Sequence, residues 1–128
     1  VKLIKNGKKI ELIHADAHWP LIKEEGFSPV QMVVAAASAC SGYVFVKLLT
    51  KKRIKVNSLM MDVDYKQNLD EAVHVIEEIT IHFFLDIAEA DQEKAQSALK
   101  YVKKACPVVM SLHPDIKIVE KLTFESHD

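Results

Sequence analysis

The hydrophobic positions change period several times along this chain, and each change marks an element. Residues 1–13 alternate on either side of Asn6-Gly7, as VKLIK and KKIELI, and predict a β-hairpin with a two-residue type I′ turn. Residues 14–27, HADAHWPLIKEEGF, keep no period and contain Pro20 and Gly26, which predicts a long irregular crossing. The pattern then becomes apolar almost without interruption over residues 27–50, FSPVQMVVAAASACSGYVFVKLLT. From Pro29 to Leu49 the only polar side chains are Gln31, Ser38, Ser41, Tyr43 and Lys47. Apolar residues therefore fall on every side of this helix, and it has to be enclosed. Its start is marked by Ser28 as N-cap, Pro29 at the first helical position, Gln31 completing a capping box, and Phe27 with Met32 as a hydrophobic staple.

Roughly 20 mostly apolar residues can span a bilayer. This run, however, is rich in Ala and Ser rather than Leu and Ile, and the charged, alternating sequence on both sides reads as sheet. The expectation is a central core helix with no membrane partner. A small sheet cannot cover such a helix all round, so a second subunit is expected.

Beyond the helix, Lys51, Lys52 and Arg53 suit its negative C-terminal end. Residues 55–67 alternate with Leu59, Met61, Val63 and Tyr65 on one face, predicting a half-buried strand. Residues 72–87 alternate again, with Val73, Val75, Ile79, Ile81, Phe83, Leu85 and Ile87 inward, and should pair antiparallel with the previous strand. His74 and His82 share the outward face but lie ~26 Å apart along a strand, too far to share a ligand. Asp91 begins a second helix, with Ala95, Ala98, Leu99 and Val102 at helical spacing. Pro107 disfavours helical geometry at Cys106, which places Cys106 at the N-cap of a further turn or two, VVMSL. Residues 116–125 supply a last strand, with Ile116, Ile118, Leu122 and Phe124 against Lys117, Lys121 and Glu125. The sum is an α+β fold over residues 1–128, read as one domain, with mainly antiparallel sheet and a long buried central helix.

Charge narrows the function classes. Lys and Arg number 17 against 18 Asp and Glu, for a net charge of −1, which leaves no electrostatic footprint for nucleic acid. The opening VKLIK is strand-like, with no basic region followed by an apolar stretch, and a cytoplasmic location is expected. His14 and His18 lie four apart in the irregular crossing, where that spacing has no fixed geometry, so no metal is expected there. The two cysteines, Cys40 and Cys106, are 66 positions apart, with neither zinc-site spacing nor the density of a disulfide scaffold. They are either two buried small side chains or a redox couple. A thiol becomes a good nucleophile when a helix N-terminus or a cation stabilises its thiolate. Cys106 has the first from its inferred position; Cys40, about three turns inside its helix, does not.

The run SPVQMVVAAASAC, followed about 66 residues later by a cysteine in a C-P-V context, resembles the OsmC/Ohr family of osmotically inducible and organic hydroperoxide resistance proteins. The order of elements resembles that family along essentially the whole chain. The resemblance implies an intertwined homodimer with the central helices buried and the active sites at the subunit interface. It also implies a thiol peroxidase that takes a small-molecule peroxide and an external dithiol reductant, needs no cofactor, and serves oxidative-stress defence. Cys40 matches the attacking thiol of the family and Cys106 the resolving one. Two departures stand out. Where the Ohr branch has a glutamate after the proline opening the central helix, this chain has Val30, and no arginine precedes Arg53. The activating arginine of that branch is thus missing, with Lys23, His14 or His18 as substitute cations and Glu24 or Glu25 as their partner. A lysine would be the weaker replacement, being a point charge where a planar fork is wanted. The alternative implied by these departures is a catalytically divergent member that binds a small apolar ligand at the dimer interface.

Overall fold

The computed structural model describes residues 1–125. Contacts gather into two units, Val1–Ala35 and the chain from Ala36 onward, with one long helix running from the first into the second.

In the first unit, β1 (Lys2–Asn6) and β2 (Lys9–Ile13) form the expected antiparallel hairpin. Its last pair is Asn6 with Lys9, so the two loop residues are Gly7 and Lys8, one position later than the sequence suggests. Only Gly7 has a positive φ, 64°, whereas a type I′ turn needs two such residues; a glycine at the first central position is the type II′ pattern. The crossing is also less irregular than expected. His18–Pro20 form a third strand, β3, antiparallel to β2, too short and too interrupted by proline for periodicity to reveal. The helix start is as read: the Ser28 amide donates to Gln31 Oε1 at 2.9 Å and the Gln31 amide to Ser28 Oγ at 3.1 Å. Both members of the staple, Phe27 and Met32, line an apolar cavity of about 400 Å³ together with Trp19, Pro20, Leu21, Gly26 and Ala35.

The helix α1 runs over Pro29–Lys51. It closes with a Schellman motif, in which the Ile54 amide reaches the Leu49 carbonyl at 3.0 Å and the Arg53 amide the Thr50 carbonyl at 2.9 Å. Arg53 itself takes the left-handed conformation, φ 60°, that glycine usually supplies here.

In the second unit, Ala37, Ser41, Phe45 and Leu49 recur every four residues as one fully buried stripe of α1. The stripe lies on a three-stranded sheet in the order β4 (Ser58–Gln67), β5 (Ile76–Asp86), β6 (Lys117–Phe124). Ile79, Ile81, Phe83 and Leu85 of the central strand are wholly buried, and Phe83 meets Phe45 edge-on at 5.1 Å between ring centroids. A Cβ on Gly42 would stand 2.8 Å from Met61 Sδ, so the missing side chain lets β4 come close to the helix. Val73 and Val75 are not inward strand residues: the chain from Asn68 to Val75 is a turn, and both valines are exposed. β4 pairs antiparallel with β5, but β6 runs parallel to it, so this sheet is mixed. The parallel return is made by the helical stretch α2 (Gln92–Leu99), α3 (Val102–Ala105) and α4 (Pro107–Ser111).

The opposite flank of α1 is not enclosed. Val33, Ala35, Ala36, Ala39 and Tyr43 are exposed, Tyr43 by 80%, and only 39% of the most apolar window of the helix is buried.

Candidate active site

Cys40 sits at mid-length on α1, half-buried, next to the buried stripe. Cys106 occupies the N-cap of α4, with φ −89° and ψ 110°, and is wholly buried. Pro107 fixes this arrangement: its ring fits the first helical position and holds the preceding residue extended. The fold thereby brings the two sequence-predicted residues together: Cys40 packs against the cluster that holds Cys106, and the two thiols interact. Both are free. Around them stand Ala37, Val44, Val108, Val109, Leu112 and Ile118, a wall of hydrocarbon that shuts Cys106 off from water and leaves Cys40 partly accessible.

Three polar contacts punctuate that wall. The first is the interaction between the two thiols. The second comes from the Val108 backbone amide, which hydrogen-bonds Cys40 Sγ. The third is Ser41, whose Oγ lies 3.8 Å from Cys106 Sγ and 2.9 Å from the Ala37 carbonyl oxygen. The Cys106 thiol, helped by burial and by the charge Cys106 would carry if ionised, pushes the Cys40 thiol above its ordinary value; the Val108 amide pulls the other way. Within this unit the Val108 amide is thus what favours a Cys40 thiolate. Chemically, the pair can lose two electrons and become a disulfide, and Cys40, being the more accessible sulfur, is the one an incoming oxidant meets first.

The residues considered as replacements for an activating arginine lie in the first unit, where His14, His18 and Glu25 have partners of their own. His14 Nδ1 is 3.9 Å from Asp16 and its ring stacks on Trp19, while His18 Nδ1 is 3.8 Å from the buried Glu11. Glu25 pairs with Lys9 at 3.0 Å rather than with Lys23. Among the described residues no group of three or more His, Cys, Asp and Glu side chains could hold a metal ion. Sequence reading did not single out the Val108 amide or the Ser41 hydroxyl. The first carries no side-chain signal. The second could have been found as a polar residue adjacent to Cys40 in an otherwise greasy helix.

A family model described as OsmC-like protein matches residues 22–121, a stretch that contains the capping box, both cysteines and most of β6. The chain belongs to the OsmC family. Solved structures with the OsmC fold agree over nearly the whole chain. A hypothetical protein from Aquifex aeolicus VF5 superposes with a TM-score of 0.82 at 18% identity, covering 99% of this chain and 96% of the other. An OsmC-like protein from Mycoplasma pneumoniae gives 0.81 at 20% identity, covering 96% and 94%. The organic hydroperoxide resistance protein OhrB of Bacillus subtilis gives 0.66 at 16% identity, covering 95% and 96%. At these identities the likeness establishes the fold. No curated protein sequence matches this chain.

Proposed function

We propose that this OsmC-family chain is a thiol-dependent peroxidase, active as a cytoplasmic homodimer in oxidative-stress defence, that reduces organic or hydrogen peroxides through Cys40 and Cys106. The observation that carries the reading is that two free cysteines 66 positions apart in the chain share one apolar cluster, with the Cys106 thiol the largest influence on the Cys40 thiol. Cys40 as thiolate attacks one peroxide oxygen. The O–O bond breaks, the leaving alkoxide (hydroxide from hydrogen peroxide) takes up the proton that the Cys40 thiol released, and the sulfur is left as sulfenic acid. Cys106 then attacks that sulfur, forming the S–S bond and breaking S–O, so that hydroxide leaves and takes up the thiol proton as water. An external dithiol restores both thiols by exchange. The apolar wall favours an organic peroxide tail.

The raised Cys40 thiol sets the demand on the assembly: reaction at neutral pH needs positive charge brought to Cys40 when the dimer forms. The exposed apolar flank of α1 is the surface the second chain would cover. Thiol loss on adding cumene or t-butyl hydroperoxide, one equivalent per chain, is the direct assay. If Cys40→Ser consumes peroxide as fast as the parent, the reading fails. Sedimentation should give twice the 14.5 kDa of one chain.

The same raised thiol, with Val30 and the missing arginine, favours a second reading in which the dimer binds a small apolar ligand and performs no redox step. The cavity lined by Trp19, Phe27 and Met32 is of suitable character. Quenching of Trp19 fluorescence by an apolar ligand, with peroxide consumption absent, would select it.

A further inference from the structure

We propose that Ser41 is the positioning residue for Cys106: its hydroxyl holds the Cys106 sulfur toward Cys40 and donates to it as the thiolate forms. The inference rests on the peroxidase reading for its place in the reaction, but its physical basis is separate.

Ser41 is wholly buried. Its hydroxyl has one proton and two acceptors within reach, the Ala37 carbonyl oxygen at 2.9 Å and Cys106 Sγ at 3.8 Å. While the proton goes to Ala37, the oxygen's lone pairs are free to accept the Cys106 S–H. When Cys106 loses its proton, rotation about one bond turns the hydroxyl onto the sulfur. That rotation leaves nothing orphaned, because the Ala37 carbonyl keeps the bond it accepts from the Ser41 amide four residues on in the same helix. No water reaches the wholly buried Cys106 to do this in its place.

The backbone of Cys106 is already fixed, by Pro107 after it and by the Met110 amide bonding its carbonyl at 2.9 Å. What remains free is the side-chain rotamer, and Ser41 is the polar group that selects the one facing Cys40. In the resolving step Cys106 gives up its proton, attacks Cys40 sulfenic acid and releases hydroxide, which collects the proton as water. Ser41 ends with the proton it began with.

The test separates two phases after a single addition of peroxide to the full chain. The first depends on peroxide concentration and reports sulfenic acid; the second does not and reports the disulfide. Ser41→Ala is expected to slow the second phase about tenfold and move its pH profile to higher pH, because a hydrogen bond to the charged form favours it. The first phase should stay within about twofold of the parent, by the same reckoning. Ser41→Thr and Ser41→Val have the same shape and differ in the hydroxyl, so Thr should outpace Val in the second phase even where Ala fails to fold. An unchanged second phase, both phases slowed alike, or equal Thr and Val would overturn the assignment. If the parent makes no disulfide, the peroxidase reading falls. Ser41 is then judged by ultraviolet titration of the Cys106 thiolate in Cys40→Ala with and without Ser41→Ala. An upward displacement supports the hydrogen bond, and coincident curves sink it.

Discussion

Cys40 and Glu120 lie in the same unit, and the surroundings of each favour its neutral form. Cys40 is held up first by the Cys106 thiol, and it has the Val108 amide as a further partner. Glu120 stands on β6 opposite Ile81, in register with Ile118 and Leu122 on the core side of the sheet. Burial pushes its carboxyl up to about 7, Lys103 opposes this, and Oε2 is buried without a hydrogen-bond partner. The Lys103 ammonium is spent instead on the Ile118 carbonyl, 3.2 Å away. The difference is one of reciprocity. A half-buried thiol with polar neighbours can hold and pass a proton at small cost, whereas a carboxyl oxygen buried without a partner only subtracts from stability.

The comparison breaks most visibly at Cys40. Cys40→Ser should reduce peroxide-driven disulfide formation by at least about a hundredfold, since the sulfur that remains, Cys106, is wholly buried and has lost its partner thiol; gel-shift counting of free thiols reads this directly. Glu120→Gln should leave that reaction alone and act on stability. The folded state keeps the Glu120 proton up to about 7 while the ordinary value is 4.5, so the parent loses stability as pH rises through that window and no further above it. Urea unfolding at pH 4 and pH 8 should show this loss reduced by about 1 kcal/mol in the variant, a figure discounted for partial solvent exposure. An identical pH dependence in parent and variant would remove Glu120 from the account. Cys106→Ala removes the main influence raising Cys40, so the pH midpoint of Cys40 alkylation should move down. A midpoint that stayed or rose would mean burial, not the partner thiol, governs it. The smallest effect is at the far end of α1, where Arg53→Gly should relieve left-handed strain and add about 0.5–1 kcal/mol to stability by thermal melt.

Much of this was legible in sequence where one residue type admits one geometry. Ser28, Pro29 and Gln31 gave the helix start, and the proline after Cys106 placed that cysteine at an N-cap before any contact was known. Alternation found the β4 and β5 faces but ran on through Val73 and Val75, because a turn rich in apolar residues imitates a strand. β6 showed its two faces without its direction, since the side-chain period is the same in parallel and antiparallel ladders. At the candidate site, the two cysteines were singled out through the resemblance to a family. Their immediate chemistry was not legible: a backbone amide from Val108 leaves no mark in a sequence, and Ser41 could be recognised as a partner of Cys106 only once α4 had been laid against α1.

The parallel strand β6 has a kinetic meaning. β4 and β5 can zip up across the short turn at 68–75, but β6 must wait for the whole excursion through α2, α3 and α4, a long loop to close before any bond rewards it. Cys106 lies inside that excursion and Cys40 on α1, ahead of β4, so the sulfurs meet only when the excursion packs back onto α1. Oxidation that joins them within one molecule is therefore a certificate of completed folding, and an unfolded chain offers an oxidant only two unrelated thiols.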